Sequence, residues 1–299
     1  MTPPLTIALT GGTGFLGPYI IEEASSRGHR LRLLARNPDK VSQTLAPKID
    51  VLKGSLSDIP TDFMLGADAV LHMAALIKAP TRGAFFDVNA VGTGRLAALA
   101  QSQGVARFVY LSSQAASQPQ LSDYCASKRA GEEELAAVYD GEQVIIRAPA
   151  VFGPGDEATA PFFAFMKRGL LPVPGGRRWR ERKLSLIYAP DLARIIVNQI
   201  ERTPPLSQPL TPASVPSLTW HDFADAAGTI MGRKIKVVPL PLPILKLIAG
   251  VNSAVLRRAF NPHLTLGKLS EFLYEDWSVA EAIESPTPLT TALRETFKA

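Results

Sequence analysis

A doubly wound α/β fold with a parallel sheet and a smaller C-terminal substrate domain is the architecture that this sequence predicts. Three observations carry the prediction. Short apolar and β-branched runs alternate with longer stretches of helical periodicity through the first half of the 299-residue chain. Those runs are apolar throughout, which suits strands covered by helices on both faces. A glycine-rich turn lies between the first strand and the first helix, where such a sheet meets a dinucleotide. Hydrophobic residues make up 46% and charged residues 20%, enough to build a large core, so global disorder is excluded.

Residues 5–10 read as the first buried strand, 11–17 as a tight turn, and 18–27 as a helix closed by Gly28. Residues 29–35, 49–53 and 67–73 follow as strands two to four. A long helix is expected over 85–103, a fifth strand over 106–111, a helix over 122–139 and a sixth strand over 143–147. After Val151 the pattern changes, with Pro and Gly multiplying. Residues 1–150 therefore read as a dinucleotide-binding domain. Residues 151–299 read as a substrate-binding region from which some segments return to the sheet. Helices are expected there over 190–201 and 219–231, the second opened by the capping signal Thr219-x-x-Asp222.

The turn Thr10-Gly11-Gly12-Thr13-Gly14-Phe15-Leu16-Gly17 fits both Gly12-x-Gly14-x-x-Gly17 and Gly11-x-x-Gly14-x-x-Gly17. Either spacing lets a strand turn sharply into a helix whose N-terminal N–H groups face a pyrophosphate. About 20 residues further on, the second strand ends at Arg36, where an acid would read an NAD ribose and an arginine accommodates a 2′-phosphate. NADP(H) is the cofactor expected.

Tyr124 and Lys128 stand at i and i+4 on one helix face, so the ammonium is expected to lower the phenol's pKa for acid/base work. Upstream, Ser112 and Ser113 lie at the end of the fifth strand, on the edge where a doubly wound sheet binds ligands. A hydroxyl there can polarise a carbonyl beside the tyrosine.

With these residues in this order, the chain resembles the extended short-chain dehydrogenases/reductases. The resemblance extends to His72-Met73-Ala74-Ala75, Asn89-Ala90-x-Gly92-Thr93, Tyr124-x-x-Ser127-Lys128-x-x-Gly131-Glu132 and Arg147-x-x-x-Val151-Phe152-Gly153-Pro154-Gly155. It implies Tyr124 as acid/base, Ser113 (with Ser112 as second choice) orienting the reacting carbonyl, and Lys128 binding the nicotinamide ribose. It also implies cofactor contacts at Gly11, Thr13, Gly14, Phe15, Leu16, Arg36, Leu56, Ala74, Tyr124 and Lys128. For Asn89 it offers a proton relay, with a local structural role the other reading. Three departures stand out. Ser55 replaces the usual Asp near the adenine, Ala116-Ser117-Gln118 replaces Val-Tyr-Gly, and Leu184-Ser185 replaces the Arg-Asp pair of nucleotide-sugar enzymes.

Several classes are excluded or disfavoured. One cysteine, Cys125, rules out a disulfide framework, and four scattered histidines with it leave no metal site to expect. His72 and Cys125 read as packing residues. The N-terminus has no basic-then-apolar leader and no apolar run is long enough to cross a bilayer, so a cytoplasmic enzyme is expected. Of the net charge of +5, residues 177–183 alone carry +4, a local cluster and not a nucleic-acid stripe. Residues 240–258 are unusually apolar: a core helix on one reading, a lid or interfacial helix with Arg257 and Arg258 at lipid headgroups on the other. The reading is thus an NADPH-dependent oxidoreductase acting on a small molecule of lipid- or steroid-like character. Peripheral membrane contact and a homodimer stay open. The alternatives are a nucleotide-sugar epimerase or dehydratase with retained cofactor, and a non-catalytic NADPH-binding sensor or assembly protein.

Overall fold

Strand pairing follows the apolar pattern closely. In this computed structural model, residues 3–41, 45–202, 209–253 and 264–298 are described. Six strands, β1 (Thr6–Thr10), β2 (Arg30–Ala35), β3 (Ile49–Lys53), β4 (Ala69–His72), β5 (Arg107–Ser113) and β6 (Glu142–Ala148), form one sheet in the order β3-β2-β1-β4-β5-β6. Every pairing is parallel. Strand order reverses between β1 and β4, which opens a crevice at the C-terminal ends of the strands.

Alternate side chains feed two cores. Ile7, Leu9 and Leu33 pack under α1 (Gly17–Ser26), while Ala8, Val70, Phe108 and Tyr110 pack under α3 (Gly92–Ser102) and α4 (Asp123–Val138). The first face is completed from the second half of the chain: α6 (Ala189–Glu201) lays Leu192, Ile196, Val197 and Ile200 beside α1.

Two expectations at the sheet need correction. The long helix starts earlier and is interrupted: α2 (Arg82–Phe86) passes through a π-helical turn at Asp87–Val91 into α3. There the Asn89 carbonyl is drawn aside, accepting from the Thr93 hydroxyl (2.8 Å) and the Tyr110 phenol (3.3 Å). α4 also approaches so closely that a Cβ at Gly131 would fall 2.2 Å from that oxygen. Second, β5 runs to Ser113, because Ser112 and Ser113 pair with Arg147 and Ala148 of β6.

Beyond Ala148, β7 (Ala150–Phe152), β9 (Lys183–Tyr188) and β10 (Val215–Thr219) form a three-stranded sheet, and β8 (Leu170–Pro174) pairs with β11 (Lys236–Leu240). Around them α5 (Ala160–Met166), α7 (Trp220–Met231) and α10 (Leu289–Lys298) enclose Phe163, Met166, Trp220, Phe223 and Leu293. The capping box at Thr219 and Asp222 is formed in full. α8 (Leu242–Val251) and α9 (Leu266–Leu273) meet through Leu245, Ala249 and Leu269. Only Leu245 and Ala249 of α8 are buried, so the core-helix reading of this segment does not hold. Arg257 and Arg258 lie outside the described residues.

Candidate active site

The turn between β1 and α1 is shaped for a close ligand. Gly11 has φ +79°, and a Cβ on it would stand 2.6 Å from the Ala74 amide nitrogen. Ala74, on the strand-four segment, is therefore pressed against the turn. Gly14 is different: it is exposed, and a Cβ there would meet only the Gly11 carbonyl at 3.3 Å. Thr13 is exposed beside it, while Phe15 and Leu16 are half-buried. α1 starts at Gly17 with no side-chain cap and no acid in its first turn, so the positive end of its dipole is left for an external anion.

At the ends of β2 and β3, Arg36, Lys53, Gly54, Ser55 and Asp58 surround a cavity of about 310 Å³. Arg36 and Lys53 are both exposed, and the pairing of Ala35 with Lys53 sets the lysine beside the arginine. Sequence reasoning missed Lys53, since only strand register brings it there. Ser55 and Asp58 exchange backbone hydrogen bonds (3.0 Å each), so the tight turn brings a carboxylate to this cavity that Ser55 itself lacks. Leu56 packs on the start of α3, where a Cβ at Gly92 would lie 3.0 Å from its Cδ1. The uncapped helix and the glycine cradle fit a dinucleotide phosphate chain.

The Ser122 hydroxyl caps α4 by accepting from the Cys125 amide (3.1 Å), which places Tyr124 in the first helical turn. Ser113 is within hydrogen-bonding reach of the phenol and also accepts from the Ala115 amide (3.2 Å). Ser112 faces away, donating to Glu132 (2.5 Å), which is in turn held by two hydrogen bonds from Arg147. Of the two serines, the structure therefore brings Ser113 to the tyrosine. Burial pushes the Tyr124 phenol well above its ordinary value, the Ser113 hydrogen bond opposing and the Glu271 charge adding to the rise.

Lys128 lies one turn further on, 2% exposed, with its ammonium donating to the Leu111 carbonyl (2.9 Å) and 4.2 Å above the Tyr110 ring. Burial pulls it down to about 7, with Glu132 opposing. The expected lowering of the phenol by this lysine is not found: burial raises the phenol, and the group opposing that rise is Ser113. Asn89 is engaged locally, bonded in both directions to the Leu76 backbone and donating to Ser127 (2.9 Å). His72 is fully buried between the Thr10 and Thr93 hydroxyls (2.6 and 3.0 Å) and stacks on Tyr110; burial lowers it to about 3. It is a packed residue, as is Cys125, which is fully buried.

Tyr124 borders a cavity of about 920 Å³ whose wall includes Ile77, Phe85, Phe162, Leu264, Leu266 and Phe272. Its polar side chains include Ser122, Lys268 and Glu271, linked by hydrogen bonds of 2.7 Å from Ser122 and Lys268 to the glutamate. α9 reaches the tyrosine from more than 140 residues further along the chain, beyond anything a local spacing encodes. Where nucleotide-sugar enzymes carry their arginine, Leu184 and Ser185 lie on β9, and the Ser185 hydroxyl is spent on Gln114 and the Trp277 carbonyl (2.9 and 2.7 Å). The segment after Ser113 is a 3-10 turn, Gln114–Ser117, with Ala115 and Ala116 buried. Among the described residues no group of three or more His, Cys, Asp or Glu side chains could hold a metal ion, and no helix is long and apolar enough to cross a membrane.

Fold and site together define an extended short-chain dehydrogenase/reductase: the chain belongs to the NAD-dependent epimerase/dehydratase family, whose profile matches residues 7–205. It is an oxidoreductase with a nicotinamide cofactor and a small-molecule substrate. It is 34% identical over 281 residues to a ceramide reductase of Caulobacter vibrioides, spanning 92% of this chain and 86% of that protein. The fold matches the UDP-N-acetylglucosamine 4-epimerase of Methanobrevibacter ruminantium, solved with UDP-N-acetylmuramic acid, at a TM-score of 0.74 and 18% identity over 100% of this chain and 98% of the other. It also matches MoeE5, solved with UDP-glucose and NAD, at 0.70 and 15% identity over 98% and 97%.

Proposed function

We propose that this oxidoreductase uses NADPH to reduce a carbonyl group on an apolar, lipid-like substrate. The observation that carries the reading is the cavity of about 920 Å³, apolar along most of its wall, that adjoins Tyr124. Similarity to a ceramide reductase over nearly the whole chain supports the same substrate class. The occupied Ser185 and the absent arginine at that position give the diphosphate of a nucleotide sugar no partner there, which favours reduction over epimerisation. Arg36 and Lys53 at one cavity favour NADPH, since two cations match a 2′-phosphate better than a ribose hydroxyl.

When bound, a nicotinamide cofactor would supply hydride to the carbonyl carbon. Tyr124, kept protonated at neutral pH by its burial, donates its phenol proton to the carbonyl oxygen, and the neighbouring Ser113 hydroxyl donates a hydrogen bond to the same atom. Lys128 holds a proton that is labile near neutral pH at the base of this pair and, by resemblance, binds the nicotinamide ribose. Gly11, Thr13, Gly14, Phe15, Leu16 and Ala74 would hold the cofactor's pyrophosphate, with Leu56, against the start of α3, a further contact that the resemblance implies.

The test is NADPH oxidation against long-chain ketones and 3-oxo amides, with product counted against cofactor consumed. One cofactor oxidised per alcohol formed supports the reading. Interconversion of a nucleotide sugar without net consumption overturns it.

A further inference from the structure

The fold leaves one helix face bare. On α8, Leu245 and Ala249 turn inward against α9, while Ile244, Leu247, Ile248 and Val251 are 54%, 70%, 46% and 46% exposed. At about 100° per residue these four fall within an arc of about 100°, and Lys246, the one charge on the helix, falls outside it. Two more exposed apolar side chains, Ile77 and Leu266, stand on the wall of the cavity beside Tyr124. α9 packs on the inward face of α8 and also lines that cavity, so one helix separates the bare stripe from the cavity.

Next to the start of α8 lies the basic turn. The Gly175 amide donates to the Leu240 carbonyl (2.9 Å), and a Cβ at Gly176 would meet Leu242 at 2.5 Å. From there the chain exposes Arg177, Arg178, Arg180 and Lys183. Arg178 is paired with Glu181 and Glu275; Arg177 and Arg180 make no ion pair among the described residues. An apolar helical stripe with a cationic edge matches the boundary of an anionic bilayer, where acyl chains meet phosphates. Arg182 is buried on the Pro174 and Gly175 carbonyls, so each copy would bring Arg177, Arg178, Arg180 and Lys183 against Glu181, and two such net-positive clusters in one interface disfavour a second copy as the occupant.

We propose that α8 and the adjoining turn of residues 177–183 dock the protein on an anionic lipid surface, so that an apolar substrate passes from the bilayer into the cavity at Tyr124. The substrate half of this statement rests on the reading above; the docking half does not. Purified full-length protein is sedimented with vesicles of phosphatidylcholine alone and of phosphatidylcholine with phosphatidylglycerol. Binding to the anionic vesicles, weakened by salt, is expected. The pair Leu247→Asp and Ile248→Asp should cut vesicle affinity roughly tenfold or more, since both side chains leave the interface. Arg177→Glu with Arg180→Glu should abolish the preference for anionic vesicles. Neither pair lines the cavity, so NADPH oxidation with a short, water-soluble ketone should match the wild type and shows that the variants are folded. No vesicle binding, binding unchanged by Leu247→Asp and Ile248→Asp, or a dimer that these changes dissociate in place of vesicle binding would each overturn the proposal. Vesicle binding that obeys the variants, with no ketone reduced by any form, would leave docking standing and reject the substrate reading instead; the characteristic unfolding transition then serves as the fold control.

Discussion

Lys128 offers a direct measure of how strongly the interior of this site opposes charge. Burial draws its ammonium from an ordinary 10.5 to about 7, while on unfolding the side chain returns to water and to its ordinary value. Between those two values the unfolded chain binds the proton and the folded one has released it. Stability therefore rises with pH across this window, by up to about 1.4 kcal/mol per pH unit. Below about 7 both states hold the proton and the full cost of the buried charge, ~5 kcal/mol as a ceiling, is felt. From about pH 7 to about pH 9 the gain due to this one group is ~2 kcal/mol. Lys128→Met keeps most of the volume and removes the titration, and His72, which the lysine's charge disfavours as a cation, is already neutral in the folded protein across this window. Urea unfolding of the cofactor-free forms at about pH 7, 8 and 9 should show the wild type gaining ~2 kcal/mol on the variant. A constant offset at all three pH values would mean that Lys128 titrates as it does in water, and the account of its burial would be wrong. The Leu111 carbonyl left without its donor shifts the offset, not the slope.

The remaining predictions concern the cofactor and the proton. Arg36→Asp and Lys53→Ala should each weaken NADPH about tenfold or more while leaving NADH nearly unchanged, as measured by fluorescence titration; equal losses would reject the 2′-phosphate assignment. Gly11→Ala should lower the melting temperature of the cofactor-free protein, since it combines φ +79° with a backbone contact at 2.6 Å, whereas Gly14→Ala should melt near the wild type and lose cofactor affinity instead. Tyr124→Phe should abolish turnover with cofactor affinity intact, and Ser113→Ala should reduce kcat by about 10²-fold while Ser112→Ala acts on stability through Glu132; a Ser112→Ala effect confined to kcat would reverse the assignment. Reduction should fail at high pH as the phenol ionises, and the raised position of Tyr124 puts that limb above the ordinary tyrosine range.

What could be read from the sequence was whatever a short spacing encodes. The glycine turn, Arg36 at a strand end and the Tyr124–Lys128 helix are local patterns, and the structure puts each at the C-terminal edge of the sheet. Groups brought in by pairing or by distant return were out of reach. Lys53 joins Arg36 through strand register, and Glu271 and Lys268 reach the tyrosine from a helix formed late in the chain. The π-helical turn depends on Tyr110 and Gly131, which belong to other elements, so no periodicity within residues 85–103 announces it. Serine is a weak strand former, hence the fifth strand looked shorter than its pairing with β6 makes it. The apolar run at 240–251 had the composition of a core helix; only its outward stripe distinguishes it, and a run that short does not declare which face is buried.

The position of α6 bears on how the chain folds during synthesis. One face of the six-stranded sheet is shielded by α1 and α6 together, yet all six strands are made before residue 150 and α6 ends at Glu201. A nascent chain stopped at the sixth strand would display Val109, Val144 and Ile146 without their cover. The sheet must then wait for some fifty more residues, a delay in which exposed strands invite chaperones or pairing with another nascent chain. A gene cut after the sixth strand should therefore yield an insoluble product rather than a free-standing cofactor domain. The long sequence separation between α6 and the strands it covers makes this closure a slow step in reaching the native state.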